Sequence, residues 1–317
     1  MEDYTKIYDM PPLPSTIVEA VNKERFAVFI GAGISRLTGC ISWSELAHGL
    51  VEKCYSLNCA NGAIAKFSFR QKQQLKEETD YKKTITIIKE IFSENGYKGR
   101  FYEEVDKLLQ VNMERAECPE IYNELLGIRG LFLTTNIDTH FDKLFGTNVV
   151  FHDQDFDFEH IDQTKLYHIH GSIQKPEGMV LTLENYFDRY QQSSSSTNRL
   201  HGFLSQVFEK YSILFLGYGF GEFEILGYLF TKFAQGSGQQ HFILLPFYTG
   251  EESLLKLQQY YYKTMNITVV AYRADEAGYA KLSGVVKEWV KEIKRRSIDL
   301  TRRYRQIDDF VTDIENA

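Results

Sequence analysis

Phe26-Ala-Val-Phe-Ile-Gly-Ala-Gly-Ile-Ser35 opens with an unbroken apolar run that stops abruptly at Gly31-Ala32-Gly33. Apolar character without polar alternation suits a strand covered on both faces, as in a parallel sheet. The same grammar recurs along the chain. Leu131-Phe-Leu-Thr-Thr135 runs into Asn136, and Ser212-Ile-Leu-Phe-Leu216 runs into Gly217. His241-Phe-Ile-Leu-Leu245 ends at Pro246, and Thr268-Val-Val-Ala-Tyr272 follows. Helix-like stretches between these runs supply the crossovers, which predicts an α/β fold with a Rossmann-like, doubly wound parallel sheet.

Two stretches fall outside that alternation. Residues 53 to about 125 hold amphipathic, charged segments at Lys66–Glu78, Lys82–Phe92 and Arg100–Gln110 and no strand-like run, so a helical insertion is expected there. Residues 172 to about 205 contain the hydroxyl run Ser193–Thr197, which cannot build a core and predicts a loop-rich insertion. The expected domain spans 15–290, with core segments 20–52, 126–171 and 206–284. Residues 285–317 read as a C-terminal helix. Ile293, Ser297, Leu300, Tyr304 and Ile307 form a packing seam on it, facing either its own domain or a docked partner.

Composition bounds the function. Lys+Arg total 36 against 43 Asp+Glu, a net charge of −7, which argues against direct nucleic-acid binding. A hydrophobic fraction of 43% excludes extended disorder. The apolar runs fall far short of the roughly 18 residues a spanning helix needs. Glu2, Asp3, Pro11, Pro12 and Pro14 leave no apolar signal core at the N-terminus. Cys40, Cys54, Cys59 and Cys118 form no CxxC pair, so neither a zinc ribbon nor a disulfide framework is indicated, and a reducing, cytoplasmic setting is expected.

In an open parallel sheet, ligands bind beyond the carboxyl ends of the strands. Gly31 and Gly33 would let backbone N–H groups approach a diphosphate there, in front of a helix N-terminus. This is not the dehydrogenase fingerprint, because the third glycine of GxGxxG falls at Arg36. Gly217-Tyr-Gly-Phe-Gly221 is a second glycine loop after a strand. Tyr218 and Phe220 could wall an adenine or serve structure alone, and Glu222 and Glu224 could reach a ribose. Asn136 and Asp138 in Thr134-Thr-Asn-Ile-Asp138 either cap the next helix or face a ligand. In Tyr167-His-Ile-His-Gly171, an extended backbone would put His168 and His170 on one face. No third ligand has metal-site spacing, whereas a histidine before glycine at a strand end suits a general base. Phe29 and Trp43 read as core, and His48 as packing.

Taken together, GAGIS at Gly31–Ser35, TTNID at Thr134–Asp138 and HIHG at His168–Gly171 resemble the sirtuin-type (SIR2) NAD-consuming fold. Gly217–Gly221 sits where that family has another nucleotide-contacting loop. Val180-Leu-Thr-Leu-Glu-Asn-Tyr186 is similar to a segment of its bacterial antiphage branch. The resemblance covers about residues 20–245. It departs from deacylating sirtuins in lacking their four-cysteine zinc ribbon and the Asp-Phe-Arg element after Ser35. The resemblance implies NAD as substrate, no zinc, and catalysis by Asn136, His170 and Asp138. Gly31, Ala32, Gly33, Ile34, Ser35, Thr135, Gly217, Tyr218 and Gly219 would bind NAD. The implied activity is an NAD glycohydrolase that depletes NAD in antiphage defence, with a deacylase or a non-catalytic nucleotide sensor as alternatives. Restraint would come from homo-oligomerisation or from a partner, such as a HerA-type motor ATPase or another phage-sensing protein.

Overall fold

The computed structural model describes residues 7–61, 67–94, 96–157, 159–190, 199–219, 227 and 239–297. The strands are β1 (Phe26–Ile30), β2 (Leu131–Thr134), β3 (Val149–Val150), β4 (Leu166–His168), β5 (Ser212–Leu216), β6 (His241–Phe247) and β7 (Ile267–Arg273). They form one seven-stranded sheet in the order β3-β4-β2-β1-β5-β6-β7, with every pairing parallel. The chain leaves β1 for β2 on one side and returns to β5 on the other. The carboxyl end of β1 is therefore the switch point, where an open α/β sheet splays its loops into a crevice.

Burial on both faces explains the unbroken apolar runs. Phe26, Val28 and Ile30 enter one cluster with Ile17 and Val21 of the helix Ser15–Asn22 and with Leu282, Val286 and Trp289. Ala27 and Phe29 point the other way, towards Phe203 and Val207 of the helix Arg199–Lys210 and Leu255 of Glu252–Lys263. The alternation is the two-residue period of a strand, hidden in the sequence because both faces are apolar.

Between β1 and β2 the helices Trp43–Asn61, Phe69–Glu77, Tyr81–Glu94 and Lys98–Leu109 form a helical insertion that starts earlier than the expected residue 53. Its Leu50, Ile85, Ile88, Phe101 and Val105 build a separate cluster that also takes in Ile137, Met179 and Leu181. Those last three residues flank the motif loops, so the insertion packs beside the carboxyl edge of the sheet. Among the described residues, no helix is long and apolar enough to cross a membrane.

Four expectations are corrected. β6 runs through Pro246 to Phe247; it pairs with β5 only at Leu214–Phe242 and Phe215–Ile243, so no β5 ladder remains for proline to interrupt. β4 stops at His168, leaving His170 in the turn beyond, so the two histidines do not share a strand face. Helices Leu183–Tyr190 and Arg199–Lys210 occupy much of the stretch expected to be loop-rich; Ser193–Thr197 lies outside the described residues.

The fourth concerns the last helix, which already begins at residue 281 and is described to residue 297. Its Val285, Val286, Trp289, Val290 and Ile293 are buried in the domain's own core. Trp289 Nε1–H also donates to the Pro11 carbonyl at 2.9 Å. Leu300, Tyr304 and Ile307 lie outside the described residues. Trp289→Ala is expected to lower unfolding free energy by about 3–5 kcal/mol in a denaturant titration, the range for emptying a buried tryptophan site. A loss below about 1 kcal/mol would show that this helix is dispensable to the core.

Candidate active site

The loops after β1 and β2 meet at the switch point through a single hydroxyl. Ser35, 3% exposed, sits in the short helix Ala32–Leu37 that starts directly after β1. Its Oγ donates to Asp138 Oδ2 at 2.7 Å and accepts from Asn136 Nδ2 at 2.8 Å. Tyr122 Oη lies 2.8 Å away. Because the one serine proton is committed to the carboxylate, the tyrosine is the donor in that contact. Burial holds the Tyr122 phenol well above its ordinary pKa, so it stays a neutral donor.

Asn136 is held from every side that matters. Its N–H donates to Thr134 Oγ1 at 3.0 Å, and Nδ2 also donates to the Gly31 carbonyl at 3.2 Å. Both amide protons are thereby spent. Among the described residues Oδ1 accepts no hydrogen bond, so the amide offers an acceptor in a fixed orientation.

His170 closes the other side. Gly171 (φ +73°) turns the chain immediately after it, and a Cβ there would meet the Gly178 carbonyl at 2.3 Å. The Ile137 carbonyl accepts from Ile173 N–H, and the His170 carbonyl from Val180 N–H, both at 2.9 Å. The ring is buried, with Nε2 2.7 Å from Tyr190 Oη and its face edge-on to Tyr186. Burial, then the charges of Arg189 and Lys82, depress its pKa from 6.5 to about 3. His170 is therefore neutral at every physiological pH, with Nε2 paired to a phenol that burial keeps protonated.

The glycine loops do something other than what spacing suggested. Gly31 N–H donates to the Leu216 carbonyl at 2.8 Å, Gly33 N–H to Gly217 at 2.9 Å, and Ile34 N–H back to Gly31 at 3.1 Å. These donors, expected to face a diphosphate, are used inside the fold. A Cβ on Gly217 (φ +74°) would meet Ile34 N at 2.7 Å, so its bareness lets the two loops touch. Ile34 is fully buried in the core. Tyr218 is a strut: its hydroxyl lies 3.0 Å from Thr135 Oγ1 and donates to the Ile30 carbonyl at 3.3 Å, while its ring packs against Phe29 and Phe215. Ala32 and Gly33 are half-buried and Gly219 is exposed, so these three keep some surface among the described loop positions. Phe220, Glu222 and Glu224 lie outside the described residues.

Residues 130–270, which include two of the three motif loops, match the family model of the SIR2-like domain. The chain is also 25% identical, over 215 residues, to the NAD(+) hydrolase ThsA of Acinetobacter baumannii (strain 532279). That match takes in 65% of this chain and 39% of the relative, so the chain spans about two fifths of the relative's length.

Several residues that shape this site carried no readable signal. Tyr122 comes from the far side of the helical insertion, Tyr190 follows the β4 turn, and Asp142 lies in an ordinary polar stretch. Cys40, Asp138 and His140 also bring one potential metal ligand each within 4.8 Å of one another. Their atoms are already engaged. The Cys40 thiol donates to the Leu109 carbonyl at 3.6 Å, His140 Nε2 lies 3.1 Å from that same carbonyl, and Asp138 accepts from Ser35 and from the His140 N–H. Burial raises the Cys40 pKa, which keeps it a thiol. The cluster reads as hydrogen-bonded packing under the motif loop.

Proposed function

We propose that this protein is an NAD glycohydrolase, cleaving NAD to nicotinamide and ADP-ribose. The observation that carries this reading is the Ser35 hydroxyl, which locks Asn136 and Asp138 together after β2, with a buried, neutral His170 in the turn after the neighbouring strand β4. The similarity to an NAD(+) hydrolase supports the choice of substrate.

The chemistry asks for little nucleophilic power. As the bond between ribose C1′ and the pyridinium nitrogen breaks, its electron pair returns to the ring and nicotinamide leaves neutral. Positive charge develops on the ribose, and water adds at C1′. The added water becomes strongly acidic only after attack, so a base of low pKa suffices to take its proton and pass it to solvent. His170 fills that role, since it is never protonated beforehand at working pH. Asn136 Oδ1, fixed in orientation, holds the attacking water or a ribose hydroxyl. Asp138 holds the nicotinamide carboxamide, and Ala32, Gly33 and Gly219 border the rest of the dinucleotide. Thr135 and Tyr218 keep the β1, β2 and β5 loops in register beneath it.

The antiphage role belongs to the same proposal. An unrestrained NADase would drain its own cell, so activity is gated by assembly into an oligomer or by a separate partner. The test is NAD turnover by the purified chain, alone and with the product of its neighbouring gene, beside Asn136→Ala. Nicotinamide and ADP-ribose in equal amounts, absent with the variant, is the expected result. Acetyl-ADP-ribose formed from an acetylated peptide would favour deacylation. NAD binding without turnover under every condition would favour a sensor.

A further inference from the structure

β4 ends on a histidine that the reaction as described leaves unused. His168 is 1% exposed, and both ring nitrogens are engaged. Nδ1 lies 2.8 Å from the Asn136 carbonyl and Nε2 2.7 Å from Asp142 Oδ1. A backbone carbonyl only accepts and a carboxylate accepts, so both nitrogens must donate, which requires the imidazolium. Burial works against that charge. Hydrogen bonding and attraction from Asp142, together with the Asn136 carbonyl and the more distant Asp138, outweigh it, and the pKa lies above the ordinary histidine value. Asp142, 5% exposed, is steadied in turn by Gln174 Nε2 at 3.3 Å from its other oxygen.

From this geometry we propose that His168 and Asp142 form a buried charged dyad that positions Asn136 for NAD cleavage; the proposal rests on the NAD glycohydrolase reading. Asn136 has three handles: its N–H on Thr134, its amide protons on Ser35 and Gly31, and its carbonyl on His168. The first two belong to the β1 and β2 loops. The third is, among the described residues, the hydrogen bond that ties this residue's backbone to β4, the strand that also leads to His170 two residues on. The dyad thus sets the spacing between the amide that holds the nucleophile and the ring that takes its proton. Neither His168 nor Asp142 touches substrate; both act through Asn136, as positioning residues.

An uncharged His168 can donate from only one nitrogen and must release either Asn136 or Asp142. Catalysis should therefore fall as pH rises through the raised pKa of His168. Asp142 and Asp138 are the charged groups facing it, with Gln174 and the Asn136 backbone neutral.

The experiment compares His168→Gln, Asp142→Asn and the double variant in the full chain. It measures kcat and KM for NAD, NAD binding by calorimetry, and thermal melting. The single variants should lose about 10–100-fold in kcat with KM and NAD affinity within about threefold, since misplacing a reacting group by about an ångström costs rate far more than binding. The double variant should be no worse than the more damaged single one, because the pair acts as a unit. The alkaline fall in kcat/KM should vanish in His168→Gln. In 15N-histidine spectra of the unmodified protein at neutral pH, one buried imidazole should carry two N–H groups, a readout independent of turnover.

Variants that keep full kcat in a protein that does cleave NAD would overturn the dyad and leave the function standing. So would a loss of kcat matched by equal losses in NAD affinity and melting temperature, which would make the pair packing alone. A protein that cleaves no NAD under any condition, yet shows the doubly protonated histidine, would overturn the enzymatic reading and the positioning role with it.

Discussion

His170→Ala is expected to cut the rate of NAD cleavage by about 10²–10⁴-fold, the usual contribution of a positioned general base, while NAD still binds. The ring lies buried between Tyr186 and Tyr190, so alanine removes the proton acceptor without touching the Ser35–Asn136–Asp138 network. A variant that keeps more than a tenth of wild-type turnover would move the base elsewhere. The same residue makes a pH prediction. Its folded pKa of about 3 lies below the ordinary 6.5, so on acidification the unfolded chain binds the proton first. The stability it contributes is complete above about pH 6.5 and declines as pH falls towards about 3. His241 is depressed in the same direction, to about 4, by burial. His170→Ala should therefore flatten part of the acid-side fall in melting temperature, with His241 supplying the rest. The kcat/KM profile of the unmodified protein should show no acid limb near pH 6.5.

Gly217→Val is expected to destabilise the fold by roughly 2–4 kcal/mol and to abolish turnover, because it combines two costs. At φ +74° a β-branched residue is strained, and its Cβ would press on Ile34 N at 2.7 Å and Gly31 O at 2.9 Å. Those atoms belong to the loop that carries Ser35, so any relief moves the hydroxyl joining Asn136 to Asp138. Gly219→Val is the control: a Cβ there meets nothing within 4 Å among the described residues, so stability should be unchanged. Chemical denaturation of the two variants separates these outcomes. Equal stability would mean that the loop contact is not what Gly217 is for.

The strands that carry the motifs were legible because a strand covered on both faces leaves a local mark, an unbroken apolar run ending at glycine or asparagine. The two shortest, Val149–Val150 and Leu166–His168, leave too little run to mark. The motif residues were legible too: Asn136, Asp138 and His170 do gather at one sheet edge with Ser35. Their roles within it were not. Glycine N–H groups turned to a ligand and glycine N–H groups spent on Leu216 and Gly217 have the same spelling, and only the register of β1 against β5 chooses between them.

The chain's own alphabet thus determined which longer segments are strands and which polar residues stand at their carboxyl ends, since both follow from side-chain type within a few positions. Tertiary structure decided which of those residues face one another. Ser35 meets Tyr122 across 87 positions and Asp138 across 103, while His168 finds Asp142 across 26. It also decided their charge. His168 and His170 stand two apart with the same side chain, yet a buried carboxylate makes one a cation while burial among tyrosines, beside Arg189 and Lys82, keeps the other neutral. Proton affinity is set by what surrounds a group in space, and sequence spacing carries no record of that.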